Sequence, residues 1–409
     1  MAKMQAENIK TLSFGCRLNA LESEKIQSML APAVDAAIVV NTCAVTHEAE
    51  RQSAQTIRKL SRENPDAPIF VTGCAATRNP GLFTQIPNAV VVHNRDKMRL
   101  GAYLDALAGA PCHHTTPRVA RFDRCGPQLS KQFIQVQNGC NHQCAYCVTR
   151  LLRGPAQSFD YADILSDACT AVANGFYEIV LTGVDIASYA RDGMLISDVC
   201  TALLRDVPEI QRLRLSSMDP ASPEIIKIIQ MIQHDPRMMP HIHLSMQSGS
   251  DSVLRAMGRR HGAETVRRMM TDAPGVTFSW DIICGFPGET DELFDETMRL
   301  VAATRPIKIH AFPFSPRPNT PAATMPHQVD RAISRRRVKI ISDAAAQHRA
   351  NHMRARIGDT TRVLVEENNI ARDPHDIAVR ISGDKIAPRT ICDVKIVAID
   401  GDMFVGEIL

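Results

Sequence analysis

Cys140, Cys144 and Cys147 stand within eight residues of one another in NGCNHQCAYCVTRLLRG, spaced Cys-x3-Cys-x2-Cys. That spacing puts three soft thiolates on one short loop. An iron–sulfur cube takes four thiolates, so a compact set of three suits a cluster with one iron left open to a small molecule. Zinc is the alternative, but zinc sites favour Cys pairs repeated at a distance or completed by His, and no clean second pair follows here.

A second set is dispersed: Cys16 in SFGCRLN, Cys43 in VVNTCAVT and Cys74 in VTGCAAT. Each follows a run that reads as a β-strand. In an open parallel sheet the carboxyl ends of neighbouring strands line one crevice, so three cysteines far apart in sequence are expected to converge. Free cysteine is often a small core residue. A packing residue, however, has no reason to recur at three successive strand ends, and a second three-thiolate cluster is the better reading. Of the other six, Cys169 and Cys200 are expected in the core, while Cys112 with His113 and His114 reads as a loose surface tract; Cys125, Cys284 and Cys392 show no pattern.

The elements that must position these residues are legible from their patterns. Over 9–107, the strand-like runs IKTLSFG, AAIVVNTCAV, PIFVTGCAA and AVVVHN alternate with polar, helix-compatible segments. This predicts an open parallel α/β region over 1–110. Residues 111–129, rich in proline and without period, read as a linker. A second series starts at KQFIQVQNGC, with strands predicted at 133–139, 177–186, 212–218, 241–247, 276–286 and 307–315. Six strand–helix units predict a partial β/α barrel over 130–354, with the cysteine loop directly after its first strand, on the face where such barrels build active sites. Short strands divided by Gly, Asn and Asp turns over 355–409 predict a small all-β barrel.

Composition sets outer bounds. The 409 residues allow two or three domains at roughly one per ~150. Hydrophobic content of 44% and charged content of 22% are those of a soluble globular protein. No apolar run reaches the ~18 residues of a membrane span, and the N-terminus lacks a secretory pattern, so a cytoplasmic location is expected. The 12 cysteines are then expected as reduced thiols. The net charge of +3 is too small to establish a nucleic-acid partner.

The Cys-x3-Cys-x2-Cys loop, with Tyr146 before its last cysteine, resembles the signature of the radical SAM superfamily. With Cys16, Cys43 and Cys74 the chain is similar to the methylthiotransferase family, and the resemblance extends through LTGVDIASY, RLRLSSMDP, HLSMQSGSDSVLRAM, DIICGFPGET and HAFPFSPRPNTPAATM. The resemblance implies two [4Fe–4S] clusters and S-adenosyl-L-methionine as cofactors. Cys140, Cys144 and Cys147 would hold the radical-generating cluster, and Cys16, Cys43 and Cys74 an auxiliary cluster carrying the sulfur. It also implies a C-terminal TRAM barrel, and both cysteine trios are expected to face one cavity. FGCRLN, NTCAVT and SPRPNTPA resemble the branch that methylthiolates N6-threonylcarbamoyladenosine at C2, beside the anticodon (position 37) of tRNA. The branch acting on isopentenyl-adenosine typically reads YGCQMN at the first cysteine, and the branch acting on an aspartate of a ribosomal protein LGCPKN. Both stay open as alternatives, as does a metal-cluster protein that binds RNA without chemistry. Implied partners are the tRNA anticodon stem-loop, an electron donor and a sulfur source, with no membrane.

Strand ends supply the expected S-adenosylmethionine contacts: Tyr146, Gly183, Asp185, Ser216, Ser217, Asp219, Gln247 and Gly285. Gly183 and Asp185 stand where the superfamily contacts the methionine amine, although it usually shows Gly-Gly-Glu there. Ser216, Ser217 and Asp219 would reach ribose hydroxyls. Turn chemistry explains the glycines equally well. No side chain is expected to be catalytic in its own right. For RNA, Arg317 between two prolines is expected to point outward toward an anion. Arg335 and Arg336, within a basic run that includes Arg331, Arg337 and Lys339, could track phosphates, as could Arg362, Arg380 and Arg389. Yet 355–409 carries 7 Lys and Arg against 10 Asp and Glu, which puts direct RNA grip by that module in doubt.

Overall fold

The computed structural model describes residues 9–15, 17–44, 47–108 and 130–409. Cys16 and the expected linker lie outside the described residues. The described chain forms two compact units: the N-terminal region with residues 139–141 and 148–155, and the remainder from 130 onward.

In the first unit, β1 (Ile9–Ser13), β2 (Ala37–Thr42), β3 (Ile69–Gly73) and β4 (Ala89–Val91) form one parallel sheet in chain order. The strands are apolar on both sides because both faces are covered. Ile38, Val40, Ile69 and Val71 pack on one face with Ala54 and Ile57 of α2 (His47–Glu63), whereas Val39 and Phe70 pack on the other with Ile26 and Leu30 of α1 (Arg17–Leu30). The short helices α3 (Cys74–Arg78) and α4 (Gly81–Thr84) follow β3, and α5 (Leu100–Leu107) follows β4. The strands end earlier than their apolar runs suggest, so Cys43 falls just beyond β2 and Cys74 opens α3.

The second unit is the partial barrel. Its strands are β5 (Gln132–Gln135), β6 (Glu178–Thr182), β7 (Arg212–Leu215), β8 (His241–Gln247), β9 (Thr277–Cys284) and β10 (Lys308–Pro313). They run parallel in two three-stranded sheets, β5–β6–β7 and β8–β9–β10, joined by a single parallel bridge between Met218 and Leu244. All six expected strands are present, each followed by helix. α6 (Thr149–Arg153) belongs to the first unit and leads to α7 (Tyr161–Ala173), which connects β5 to β6; α8 (Ile196–Asp206) and α9 (Glu224–His234) follow in the next two crossovers. α10 (Asp251–Ala256) and α11 (Ala263–Thr271) come between β8 and β9, and α12 (Asp291–Thr304) before β10. β8, HIHLSMQ, shows the period-two logic: Ile242, Leu244 and Met246 are fully buried, while His241, His243, Ser245 and Gln247 on the other face are half-buried.

α13 (Arg331–Arg354) is N-capped by the Asp330 carboxylate, which accepts from Ala332 N at 2.7 Å. It leads to a closed five-stranded barrel of β11 (Thr360–Val365), β12 (Ile370–Arg372), β13 (Ala378–Ile381), β14 (Ile391–Asp400) and β15 (Met403–Ile408), ordered β11–β12–β13–β15–β14. The fold is therefore mixed α/β with parallel sheets and a C-terminal closed β-barrel, as expected. How that module docks was not expected. The β12–β13 turn, Asp373–Asp376, sits over the amino ends of the partial barrel's strands. Arg212 donates to the carbonyls of Arg372 (3.0 Å) and Asp373 (2.9 Å), and Arg214 to that of Pro374 (3.1 Å). Asp376 pairs with Lys131 at 3.2 Å, and fully buried Glu178 holds both arginines, at 2.6 and 3.0 Å.

Candidate metal centres and cofactor site

The strand registers build the N-terminal thiol site. Ser13 pairs with Asn41, and Thr42 with Gly73. Continued past the strand ends, these registers set Gly15 opposite Cys43 and Cys43 opposite Cys74. Gly15 has φ +90°, and a Cβ there would strike the Sγ of Cys43, so the residue before Cys16 lies directly on the second cysteine of the trio. Cys43 is 3% exposed. The polar groups around it are fixed: Asn19 donates to the carbonyls of Phe14 (2.9 Å) and Thr42 (3.2 Å), and Thr42 Oγ1 accepts from Ala76 N at 3.0 Å. Beside them lies a buried charge cluster that sequence reading missed. Glu22 accepts from Lys97 at 2.5 Å and from Arg153 at 2.8 Å. Burial opposes the Glu22 charge, but the two cations hold its pKa at about 2. Two cations to one carboxylate leave a net positive charge, and Lys97, whose pKa burial lowers, is favoured in its charged form by Glu22 and by Cys74. An anionic thiolate site is what such a surplus suits.

The second trio sits on the segment between the two-residue strand Gln137–Asn138 and α6. Cys140 N donates to the Gly154 carbonyl at 3.2 Å. Further along, the loop is clamped on the turn that follows α10: Ala145 N donates to the Met257 carbonyl at 2.9 Å, and Ala145 O accepts from Ala322 N at 2.9 Å. Gly258, at φ +75°, lets this turn approach the Gln143 carbonyl. Tyr146 packs its ring against the apolar cluster of Ala145, Met257 and Phe286. Burial and then the neighbouring Cys144, to which it hydrogen-bonds, raise its hydroxyl pKa far above the usual value. Arg259 Nη1 donates to Cys144 Sγ at 3.7 Å.

No disulfide joins the described cysteines. Their surroundings divide them. Cys200 and Cys284 are fully buried, and burial followed by a neighbouring carboxylate pushes both thiols up, Cys284 to about 12, leaving them inert. Cys144 and Cys74 instead stand beside buried cations. The soft donor sets and the positive charge beside them fit iron–sulfur clusters better than core packing. Cys169 is exposed rather than buried: its place on α7 faces solvent, a helix-face reading the pattern did not resolve.

The expected S-adenosylmethionine contacts fall into two groups. Ser216 Oγ, just past β7, is buried with no hydrogen-bond partner among the described residues, an orphan that a ligand hydroxyl would satisfy. Ser217 follows it, half-buried. Gln247 ends β8 with φ +71°, a strained conformation for a non-glycine residue, at a register shift in the β8–β9 ladder. Asp185 is 7% exposed and pairs with His142 at 2.8 Å, its backbone N–H held by Gln137 Oε1 at 2.8 Å. The others are engaged by protein. Gly183 leaves room for the Gln137 carbonyl, and Gly285 for Ser334 of α13. Asp219 accepts from Arg259 (2.8 Å), Arg260 (2.7 Å) and Ala221 N (3.1 Å).

Arg317 corrects the expectation that it points outward. It is 4% exposed, because Thr320 folds back on its carbonyl through both N–H and hydroxyl and turns the Pro-Arg-Pro segment inward. Arg337 is likewise buried, bonded to Glu289 and Asp291, so the basic run of α13 shows solvent only its other members, Arg335 and Arg336 among them. Arg362 is exposed and donates to Gln211 at 2.8 Å.

Comparison with known proteins places this architecture. Residues 134–301 match the Radical SAM superfamily model, and residues 8–93 the model described as Uncharacterized protein family UPF0004. The chain is 36% identical over 390 residues, 90% of each chain, to the Threonylcarbamoyladenosine tRNA methylthiotransferase MtaB of Rickettsia prowazekii. It belongs to the radical SAM methylthiotransferase family. A Thermotoga maritima protein of the same description is 31% identical, covering 88% of this chain and 87% of its own. The tRNA-2-methylthio-N(6)-dimethylallyladenosine synthase of Sphingopyxis alaskensis is 29% identical, covering 96% of each. Among solved structures, the radical S-adenosylmethionine methyltransferase TsrM of Kitasatospora setae shares the fold, with TM-score 0.59 at 13% identity over 77% of this chain and 74% of its own. In this chain Cys140, Cys144 and Cys147 fall within the Radical SAM match, and Cys16, Cys43 and Cys74 within the UPF0004 match.

Proposed function

We propose that this protein is the tRNA methylthiotransferase that converts N6-threonylcarbamoyladenosine at position 37 to its 2-methylthio derivative. The observation that carries the reading is the 36% identity, over 90% of both chains, to a relative of that description. The thiol sites support it. Cys140, Cys144 and Cys147 would hold one [4Fe–4S] cluster, and Cys16, Cys43 and Cys74 the other. When bound, the clusters and S-adenosylmethionine supply a 5′-deoxyadenosyl radical and a methylated sulfur, chemistry that belongs to the cofactors. No side chain has to remove the C2 hydrogen, because an aromatic C–H is not acidic enough for an ordinary base. The chain's own residues bind and orient. Ser216, with its orphaned hydroxyl, and Ser217 take the ribose of S-adenosylmethionine; Gln247 and Asp185 border its site; Tyr146 seals the cysteine loop on the apolar cluster.

The division into an auxiliary-cluster region (1–110), a linker (111–129), a radical SAM barrel (130–354) and a TRAM-like barrel (355–409) is part of this proposal, as are the tRNA anticodon stem-loop, an electron donor, a sulfur source and a cytoplasmic setting. Among the described residues, no helix is long and apolar enough to cross a membrane. The test is deletion of the gene followed by mass spectrometry of tRNA nucleosides. Loss of the 2-methylthio-threonylcarbamoyl nucleoside, with its unmodified precursor accumulating, is expected. Loss of the dimethylallyl derivative instead would move the chain to the other tRNA branch.

A further inference from the structure

We infer that Arg259 is a positioning residue for the radical-generating cluster, donating to the Cys144 sulfur and raising the cluster's reduction potential. The inference rests on the assignment of Cys140, Cys144 and Cys147 to that cluster. Three observations carry it. First, Arg259 Nη1 lies 3.7 Å from Cys144 Sγ, within N–H···S range. Second, the guanidinium is held in place. Its Nη2 donates to Asp219 Oδ1 at 2.8 Å and to the Ser245 carbonyl at 2.9 Å, and the side chain is only 6% exposed. Asp219 is itself fixed by Arg260 and Ala221 N, and Ser245 lies on β8, so the fork is anchored to the barrel wall. Third, Arg259 Nε is buried with no hydrogen-bond partner among the described residues. An orphaned buried donor is costly, a penalty that an anionic sulfur ligand would remove.

The backbone brings Arg259 there by design of the turn. Gly258, at φ +75°, reverses the chain after α10 and lies 3.1 Å (as an added Cβ) from the Gln143 carbonyl, one residue before Cys144. Hydrogen bonds to cluster sulfurs and nearby positive charge stabilise the reduced, more negative state, and both are recognised controls on iron–sulfur potentials. An enzyme that must place one electron on a low-potential cluster gains from such a donor. Asp219 then acts through Arg259, orienting the fork.

The experiment uses the full-length reconstituted protein and the variants Arg259→Gln, Arg259→Lys and Asp219→Asn. A potentiometric titration is followed by EPR, and the barrel cluster is identified as the signal that S-adenosylmethionine perturbs. In Arg259→Gln the reduced-to-oxidised ratio at a fixed potential is expected to fall about tenfold, equivalent to a midpoint about 59 mV lower for one electron. Arg259→Lys, which keeps charge but loses the fork, and Asp219→Asn should fall between wild type and Gln. If Arg259→Gln does not load iron, the Lys variant decides. An unshifted midpoint in every variant that loads iron overturns the inference while leaving the proposed function intact. A wild-type protein with no signal perturbed by S-adenosylmethionine overturns the cluster assignment itself.

Discussion

At the scale of residues, the two cysteine trios stand out in the sequence because each leaves a local mark: spacing on one loop, recurrence after successive strand-like runs in the other set. The charged groups that the fold brings beside them leave none. Arg259 is 115 residues from Cys144 and Lys97 75 from Glu22, and no local pattern announces a contact at that separation. Asp219 shows the same limit, since its sequence context suits a ribose contact, whereas the fold brings two arginines to its carboxylate. The trios predict separable losses. Cys43→Ala or Cys74→Ala is expected to halve the iron of the reconstituted protein, from about eight to about four per chain. Cleavage of S-adenosylmethionine by the reduced protein should persist while methylthio product disappears. Cys144→Ala should abolish cleavage. Iron analysis and chromatography of 5′-deoxyadenosine check both, and equal loss of cleavage in all three variants would break the division of labour.

At the scale of elements, all ten strands of the two parallel assemblies were visible as apolar runs, because strands covered on both faces or packed under helices need continuous or alternating apolar residues. The end of each run was less legible: β2 stops at Thr42, three residues before its apolar run does. The seat of the C-terminal barrel was invisible, being built from charges. Glu178, Arg212 and Arg214 are polar residues on strands, buried at 0%, 3% and 5% exposure, where the period predicts core. They are tolerated because they satisfy one another and the carbonyls of the Asp373–Asp376 turn. Removing one member leaves its partners buried and unpaired. Glu178→Gln should therefore destabilise the protein by about 3–5 kcal/mol, read as a lowered denaturation midpoint. Gln211→Ala, at an exposed contact of the same module with Arg362, should cost less than about 1 kcal/mol by the same measurement.

At the scale of the whole molecule, two properties follow from how charge is distributed. The first is acid sensitivity. Burial, with the nearby Arg214 for His241 and Arg259 for His261, lowers the pKa of His241 to about 3 and that of His261 to about 4, and burial lowers that of His375 to about 4. The unfolded chain takes up protons near pH 6.5 that the folded one refuses, so stability is complete above that pH and declines as pH falls through 6.5 toward 4. Glu22, with its folded pKa near 2 against 4.5, adds a loss only below about pH 4.5. Urea midpoints should thus already fall between pH 7 and 5, and a flat profile there would show these histidines are not buried as neutral groups. The second property is where RNA phosphates can be met. The C-terminal module is acidic, and its three candidate arginines are engaged: Arg362 by Gln211, Arg380 by Asp400 at 2.8 Å, and Arg389 by the Phe176 ring at 3.7 Å and the Asn174 carbonyl at 3.0 Å. Exposed cations remain on α13. Arg335 faces solvent, and Arg336 has only a 4.0 Å pair with exposed Asp291. If these two meet phosphates, the charge reversals Arg335→Glu and Arg336→Glu together should weaken tRNA binding at low salt. They should also reduce the slope of log K against log salt by about 1.4–1.8, the release of two counterions. The triple change Arg362→Gln, Arg380→Gln and Arg389→Gln should alter that slope less. Filter binding across a salt series measures both, and a larger slope change in the C-terminal triple variant would return the RNA grip to the β-barrel.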